Sequence, residues 1–196
     1  MDRILITGAT GFVGQRLLKL FESYENKIQI LSRQSHPDYE TIVCDLDKKF
    51  IPASALASVD TVFHLAGFAH DLSDSSKVKK LYNAVNVDAT VQLAEIAIQQ
   101  GVQHFVFVSS VKAGGTAIAG QCMTEKIQGE PEGIYGSTKR KAELKLLEIG
   151  RLSGMQVSIV RPSLVFGPGV KGNLRMMLSG IDKGWFPPLP ETGNRR

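Results

Sequence analysis

The feature that most constrains this chain is a glycine-rich turn between a predicted strand and a predicted helix near its start. The apolar run at positions 4–7 reads as a strand, Gly8, Gly11 and Gly14 follow it, and a helical pattern covers 12–24. A helix that starts directly after a strand offers unpaired N–H groups and a positive dipole end, which suit a phosphate. In this interpretation Gly8 permits the turn, Gly11 admits a pyrophosphate and Gly14 brings the helix close to the sheet. A bare turn without a ligand is the alternative.

The composition excludes several classes of protein. The chain has 196 residues with 43% hydrophobic and 21% charged residues, and these values predict one globular domain. A net charge of +4 is too small and too scattered to indicate nucleic acid. No apolar run approaches the roughly 20 residues of a membrane span, and no leader is expected before the first strand. Cys44 and Cys122 match no metal site, so we expect free thiols and a cytoplasmic protein.

The segment TGATGFVG at positions 7–14 resembles the cofactor loop of the extended short-chain dehydrogenase/reductase family. The resemblance implies a Rossmann-like, doubly wound parallel sheet of order 3-2-1-4-5-6 with helices on both faces. It implies a dinucleotide-binding domain over 1–165, and 166–196 as the incomplete start of a small substrate region. Further strands are predicted at 27–31, 41–44, 60–67, 103–108 and 156–162, and further helices at 78–100 and 135–152. The resemblance places the cofactor against Gly8, Ala9, Thr10, Gly11, Phe12, Val13 and Gly14.

The end of the second predicted strand bears on the choice of dinucleotide. An acidic residue usually binds the ribose 2′-hydroxyl about 20 positions after the glycine loop, but here Ser32 and Arg33 occupy that place. An arginine can bind a 2′-phosphate, so NADP(H) is favoured and NAD(H) remains possible. Arg33 as a solvated loop residue stacked on adenine is the alternative. By resemblance Asp45 and Leu46 lie near the adenine, although Asp45 equally suits a turn before Lys48.

Small residues follow the fourth predicted strand in the sequence HLAG at positions 64–67. The resemblance passes Leu65, Ala66 and Gly67 beneath the cofactor. His64 is interpreted as a packed residue rather than a catalyst. Asn86 lies in a segment similar to the family's NVxGT motif, where it would support the active-site end of the sheet; an ordinary surface or capping asparagine is the alternative.

The predicted catalytic residues come from one strand end and the helix that follows it. Val108, Ser109 and Ser110 end the most strand-like run, at the edge where doubly wound sheets bind ligands. Tyr135 and Lys139 share one helical face at spacing i, i+4, and a nearby ammonium lowers the pKa of a phenol. By resemblance Ser110, Tyr135 and Lys139 are catalytic, and Val108, Ser109, Tyr135 and Lys139 also contact the cofactor. The family usually carries an aromatic residue where this chain has Gly114, which should widen the pocket.

The last part of the chain resembles the family's hinge motif, RPxxVYGPG, at positions 161–169. The resemblance assigns Pro162 and Val165 to the cofactor site. It assigns Lys112, Lys171, Asn173 and Arg195 to the substrate site, with a solvated helix start as the alternative for Lys171 and Asn173.

The motifs together most resemble bacterial enzymes that act on UDP-N-acetylhexosamines in surface polysaccharide synthesis. The implied activity is a 4-epimerase or a 4-ketoreductase. In it Tyr135 moves a proton at the sugar O4, Ser110 hydrogen-bonds the same oxygen, and Lys139 acts on the phenol and the nicotinamide ribose. The implied partner is the nucleotide sugar, and a homodimer is possible; we expect no metal, nucleic acid or membrane. A dinucleotide-binding regulatory or assembly protein without catalysis is the alternative.

Overall fold

Six parallel strands form one sheet in a computed structural model that describes residues 2–48, 50–69, 76–116, 124–170 and 172–185. Their order is β3-β2-β1-β4-β5-β6, and every pair is parallel, which confirms the predicted doubly wound sheet. The strands are β1 Arg3–Thr7, β2 Lys27–Ser32, β3 Glu40–Val43, β4 Thr61–His64, β5 His104–Val108 and β6 Gln156–Val160.

The predicted helices are present, the first two with differences, and a short helix after β5 and a 3-10 turn were not predicted. They are α1 Phe12–Phe21, α2 Ser76–Asn83, α3 Ala89–Gln99, α4 Val111–Gly114, α5 Gly133–Ser153 and α6 Asn173–Asp182, with a 3-10 turn at Ala53–Leu56. The first helix ends at Phe21 rather than at Tyr24, whose N–H closes a turn onto the Phe21 carbonyl at 3.0 Å. The helix predicted over 78–100 has a π-helical turn, Ala84–Asp88, between α2 and α3.

Apolar side chains cover both faces of the sheet because neighbouring strand residues point to opposite sides. In β1, Ile4 and Ile6 pack towards α1 with Leu18, whereas Leu5 joins the larger cluster on the other face. That larger cluster includes Leu93 of α3 and Leu146 of α5. Within the described ranges, no helix combines the length and apolar character that crossing a membrane requires.

The carboxyl ends of four strands meet in a row. Thr7 of β1 is in register with His64 of β4, His64 with Phe107 of β5, and Val108 with Val160 of β6. Strand order reverses between β1 and β4, and ligands of doubly wound folds bind at such a switch point. The loops that leave these four strand ends therefore build the candidate site.

Candidate active site

The glycine turn after β1 is tightly packed where the sequence predicts a phosphate site. Gly8 has φ +70°, and a Cβ there would lie 2.7 Å from the Ala66 nitrogen, so only glycine fits. A Cβ on Gly14 would lie 2.3 Å from the Gly8 carbonyl oxygen, so α1 begins directly against the turn. Gly11 is the exposed N-cap of α1 and provides no side-chain cap.

These features fit the pyrophosphate of a dinucleotide. The N–H groups of the first turn of α1 have no capping side chain, and a helix N-terminus is favourable for negative charge. Thr10, Gly11 and Val13 are exposed and Phe12 is half-buried, whereas Ala9 and Gly14 are buried. The buried pair thus shapes the turn, and the exposed residues form its outer surface.

His64 holds the loop after β4 through two buried threonines. Thr90 Oγ1 donates to the Asn86 carbonyl at 3.0 Å, so it accepts from His64 Nε2, 2.8 Å away. His64 Nδ1 then accepts from Thr7 Oγ1 at 2.6 Å, and Thr7 Oγ1 accepts from the Ala66 N–H at 3.1 Å. His64 is fully buried; burial, and to a smaller extent the nearby Lys139, lower its pKa to about 3. The neutral imidazole is a packed residue, as its sequence context predicts.

Asn86, in the π-helical turn, clamps the same loop from the other side. Its Oδ1 accepts from the Phe68 N–H at 2.7 Å, and its Nδ2 donates to the Phe68 carbonyl at 3.0 Å and to Thr138 Oγ1 at 3.2 Å. Asn86 is fully buried, so these bonds satisfy its amide. The arrangement confirms Asn86 as a support of this sheet edge and links the loop to α5.

The two serines after β5 have different environments. Ser109 is 3% exposed, and its hydroxyl has no hydrogen-bond partner among the described residues. Ser110 is the N-cap of α4, and its Oγ accepts from the Lys112 N–H at 3.3 Å. An oxygen that accepts this bond keeps its own O–H free to donate. Ser110 can therefore donate to a substrate oxygen without losing its capping role.

Tyr135 and Lys139 lie one turn apart on α5, near the ends of β4 and β5. Lys139 is 2% exposed, its Nζ donates to the Val108 carbonyl at 2.9 Å, and it lies 4.5 Å from the centre of the Phe107 ring. A Cβ on Gly67 would lie 3.1 Å from Lys139 Nζ, so a glycine at this position makes room for the ammonium. The half-buried Tyr135 packs edge-on against Tyr82, with 6.5 Å between ring centres.

The protonation of this pair differs from the expectation based on spacing. Burial raises the pKa of the Tyr135 phenol above its ordinary value, and the nearby Tyr82 raises it further. Burial lowers the pKa of Lys139 to about 8, while Glu143 acts in the opposite direction. The Lys139 ammonium directs its hydrogen bond to the Val108 carbonyl, and burial sets the direction of the shift in the Tyr135 pKa. Tyr135 is a neutral phenol at pH 7 in this geometry.

The space beside Gly114 is filled, which corrects the expected widening of the pocket. A Cβ on Gly114 would lie 3.1 Å from Arg161 Nη1, so the guanidinium occupies the volume beside the glycine. Arg161 follows β6 and donates two hydrogen bonds to the Glu143 carboxylate of α5. Its Nη1 also donates to Gln128 Oε1 at 3.0 Å. The width of the pocket at this point is therefore limited by Arg161, a residue 47 positions after Gly114 in the sequence.

The residues predicted to contact the adenosine half lie at the ends of β2 and β3. Ser32 Oγ accepts from the Gln34 N–H at 3.2 Å in a local turn, and Arg33 is exposed with no hydrogen-bond partner in the described chain. Asp45 opens a turn in which the Lys48 N–H donates to the Asp45 carbonyl at 3.1 Å and Lys48 Nζ lies 3.4 Å from its carboxylate. The structure therefore shows the turn role of Asp45. A role of Asp45 or Leu46 at the adenine stays a prediction.

The other predicted site residues are only partly brought together. Pro162 reaches the serine loop, because its carbonyl accepts from the Val111 N–H at 3.2 Å, and Val165 is 39% exposed further along. Lys112 is exposed on α4, and Asn173 is the first residue of α6. Lys171 and Arg195 lie outside the described residues. No cluster of three or more potential metal ligands occurs in the described ranges.

Comparison with known proteins identifies the family. A model of the NAD dependent epimerase/dehydratase family matches residues 4–184. The chain belongs to this family. The predicted resemblance is therefore confirmed, and the glycine turn, the HLAG loop and the Tyr135–Lys139 pair all lie within the matched residues.

Curated relatives and solved structures agree on the fold. The chain is 36% identical to a UDP-glucose 4-epimerase of Vibrio cholerae over 195 residues, which are 95% of the chain and 58% of that protein. It is 31% identical to a 3 beta-hydroxysteroid dehydrogenase/Delta 5-->4-isomerase of Mycobacterium tuberculosis, over 94% of the chain and 52% of that protein. MoeE5, solved with UDP-glucuronic acid and NAD, superposes with a TM-score of 0.79 at 29% identity, over 92% of the chain and 61% of MoeE5. The chain thus spans between half and two thirds of the length of these proteins.

Sequence reasoning missed two site residues that the structure reveals. Glu143 is 2% exposed and faces the site one turn beyond Lys139, and Arg161 binds it from the end of β6. The signal available was the helical spacing of Tyr135, Lys139 and Glu143, four positions apart each time.

Proposed function

We propose that this chain forms the dinucleotide-binding and catalytic part of an epimerase or 4-ketoreductase that acts on a nucleotide-diphosphate sugar, with a UDP-N-acetylhexosamine as the expected substrate. The observation that carries the proposal is the placement of Tyr135 and Lys139 on α5, beside the loop from β4 and the end of β5. The similarity to the UDP-glucose 4-epimerase of Vibrio cholerae, at 36% identity, supports a sugar nucleotide. As part of the proposal, residues 1–165 bind the dinucleotide and 166–196 begin the substrate region.

The residues of the chain have distinct roles in this proposal. The α1 N-terminus at Gly11 receives the pyrophosphate, and the glycine-lined loop at Gly67 lies under the nicotinamide ribose. A bound nicotinamide dinucleotide supplies a site that accepts or returns hydride at sugar C4. Tyr135 exchanges a proton with O4, Ser110 donates a hydrogen bond to the same oxygen, and Lys139 stabilises the phenolate. The neutral phenol at pH 7 is the form that can give a proton to a 4-keto oxygen.

The identity of the dinucleotide depends on Arg33. The family is NAD dependent, and MoeE5 was solved with NAD, which supports NAD(H). The exposed Arg33 has no described partner and supports the NADP(H) expectation, because its guanidinium is available to a 2′-phosphate. Affinities for both dinucleotides, measured by calorimetry, decide between the two.

Tyr135→Phe tests the proposed chemistry in a form of the protein that carries a complete substrate region. It removes the phenolic hydroxyl and keeps the ring against Tyr82, so turnover should fall by about 100-fold or more while dinucleotide affinity stays unchanged. The 196-residue chain alone should bind the dinucleotide with little or no turnover, because water would reach the hydride site. One assay follows nicotinamide absorbance with a UDP-4-keto sugar, and a second follows conversion of UDP-N-acetylglucosamine to its 4-epimer. Tyr24→Phe, at an exposed tyrosine beyond α1, is the matched control.

The same assays separate the alternatives. Full activity of Tyr135→Phe would remove the mechanism. In a form of the protein with a complete substrate region, dinucleotide binding without turnover of either sugar would favour the non-catalytic regulatory or assembly protein. Oxidation of a 3β-hydroxysteroid, tested in parallel because of the mycobacterial relative, would replace the sugar as the substrate class.

A further inference from the structure

Three ionisable side chains follow one another along one face of α5. Tyr135, Lys139 and Glu143 are spaced four residues apart, so they lie on the same side of the helix over two turns. Lys139 and Glu143 are each 2% exposed. Burying a carboxylate costs free energy unless it is paired with a cation, so the burial of Glu143 has to be explained by its partners.

Arg161 holds the Glu143 carboxylate in one orientation. Arg161 Nε donates to Glu143 Oε1 at 2.8 Å, and Nη2 donates to the other carboxylate oxygen. This two-bond ion pair ties α5 to the end of β6. Arg161 is itself fixed through Gln128. The Glu143 carboxylate is therefore held in a fixed position, one helical turn from Lys139.

The groups that face Lys139 leave its positive charge dependent on Glu143. From β5, it meets the Val108 carbonyl and the Phe107 ring. His64 of β4 is neutral at pH 7, and Tyr135 of α5 is a neutral phenol. The neutral Asn86 amide borders the same space beside Gly67, where a Cβ would lie 3.2 Å from its Oδ1 and 3.1 Å from Lys139 Nζ. Arg161 is the other positively charged group in this part of the described chain, and it forms an ion pair with Glu143. Among the groups named here, Glu143 carries the negative charge.

We propose that Glu143 is a positioning residue whose carboxylate, fixed by Arg161, keeps the buried Lys139 side chain protonated and directed at the site. An uncharged amine cannot stabilise a phenolate on Tyr135, so the charge has to survive burial. Burial lowers the pKa of Lys139 to about 8, and Glu143 opposes this change. Since the proposal rests on the proposed function of the Tyr135–Lys139 pair, its test is a measurement that needs neither cofactor nor turnover.

The test is a direct titration of Lys139 by NMR. The chain is labelled with ¹³C at the lysine Cε atoms, the Lys139 signal is identified by its loss in Lys139→Arg, and its shift is followed from neutral to alkaline pH. Glu143→Gln removes the charge with little change in size. The Lys139 midpoint should fall by about one pH unit, the scale of a unit charge one turn away at intermediate dielectric. Glu148→Gln, an exposed carboxylate on the same helix, should leave it unchanged.

A second variant distinguishes charge from loosened packing. Arg161→Gln breaks the same ion pair but removes the positive member, so the Lys139 midpoint should rise. Loss of packing alone would move the midpoint in the same direction in both variants, and that result would overturn the proposal. An unchanged midpoint in Glu143→Gln would overturn it as well. If Glu143→Gln does not fold, the sign of the shift in Arg161→Gln decides the question. Failure of the sugar assays would leave these titrations valid.

Discussion

Acid should destabilise this chain through His64 well before the carboxylates protonate. His64 is fully buried between Thr7 and Thr90, both ring nitrogens are within hydrogen-bond distance of threonine hydroxyls, and burial disfavours the charged ring. Lowering the pH from 7 to 5 protonates the histidine in the unfolded chain but not in the folded chain. The pH change therefore stabilises the unfolded chain, while the network that holds the loop under the proposed cofactor site keeps its neutral histidine in the folded chain.

The size of the effect follows from the two pKa values of His64. The folded value is about 3, and the unfolded value is the ordinary 6.5. A depressed folded pKa contributes stability that is fully present above about pH 6.5 and is lost as pH falls towards 3. At pH 5 the loss relative to pH 7 is about 2 kcal/mol. Lys139, with a pKa of about 8, is protonated in both states over this range and does not contribute.

Urea unfolding at pH 7 and pH 5 measures this loss. The free energy of unfolding of the native chain should fall by about 2 kcal/mol more between these two pH values than that of His64→Gln. His104→Gln, at an exposed histidine that starts β5, should behave like the native chain. Equal pH dependence in the native chain and His64→Gln would refute the reasoning.

Three further predictions concern single substitutions. Gly14→Ala should destabilise the fold by about 3 kcal/mol in urea unfolding, because its Cβ would lie 2.3 Å from the Gly8 carbonyl oxygen; a cost below 1 kcal/mol would contradict this packing. Asn86→Ala should cost about 3 kcal/mol in the same assay, since it removes two hydrogen bonds to the partly buried Phe68 backbone and one to the buried Thr138 hydroxyl; an unchanged midpoint would show that the Phe68 groups find other partners. Arg33→Ala should weaken NADPH by roughly 1.5–3 kcal/mol in calorimetry and leave NADH unaffected. Equal native affinities for the two would count against that role of Arg33.

The sheet and the backbone of the site were predictable because their signals are local. Each strand is a short apolar run followed by small or polar residues, and the order of parallel strands follows from the family resemblance. The N-cap role of Ser110 also has a local signal, a serine just before a helical turn, although sequence reasoning assigned that serine only to catalysis. Local chemistry was therefore enough to locate the candidate site along the chain.

Features that depend on distant packing were not predictable. Arg161 fills the space beside Gly114, and nothing near Gly114 in the sequence indicates this. The direction of the Tyr135 pKa shift follows from burial of the phenol and from the nearby Tyr82, which only the packed structure determines. The π-helical turn around Asn86 has no composition of its own that would distinguish it from the helices on either side.

Calorimetric titration of nicotinamide dinucleotides into the native chain and Gly11→Val tests the central claim most directly. Gly11 is exposed and has φ −77°, which valine adopts, so the variant should fold, as its urea unfolding will show. The new side chain would occupy the place proposed for the pyrophosphate. Gln15→Ala, on the same helix and exposed, is the control. The account predicts binding by the native chain and by Gln15→Ala, and no measurable binding by Gly11→Val. Unchanged affinity in a folded Gly11→Val chain would contradict the claim that the glycine turn is the dinucleotide site.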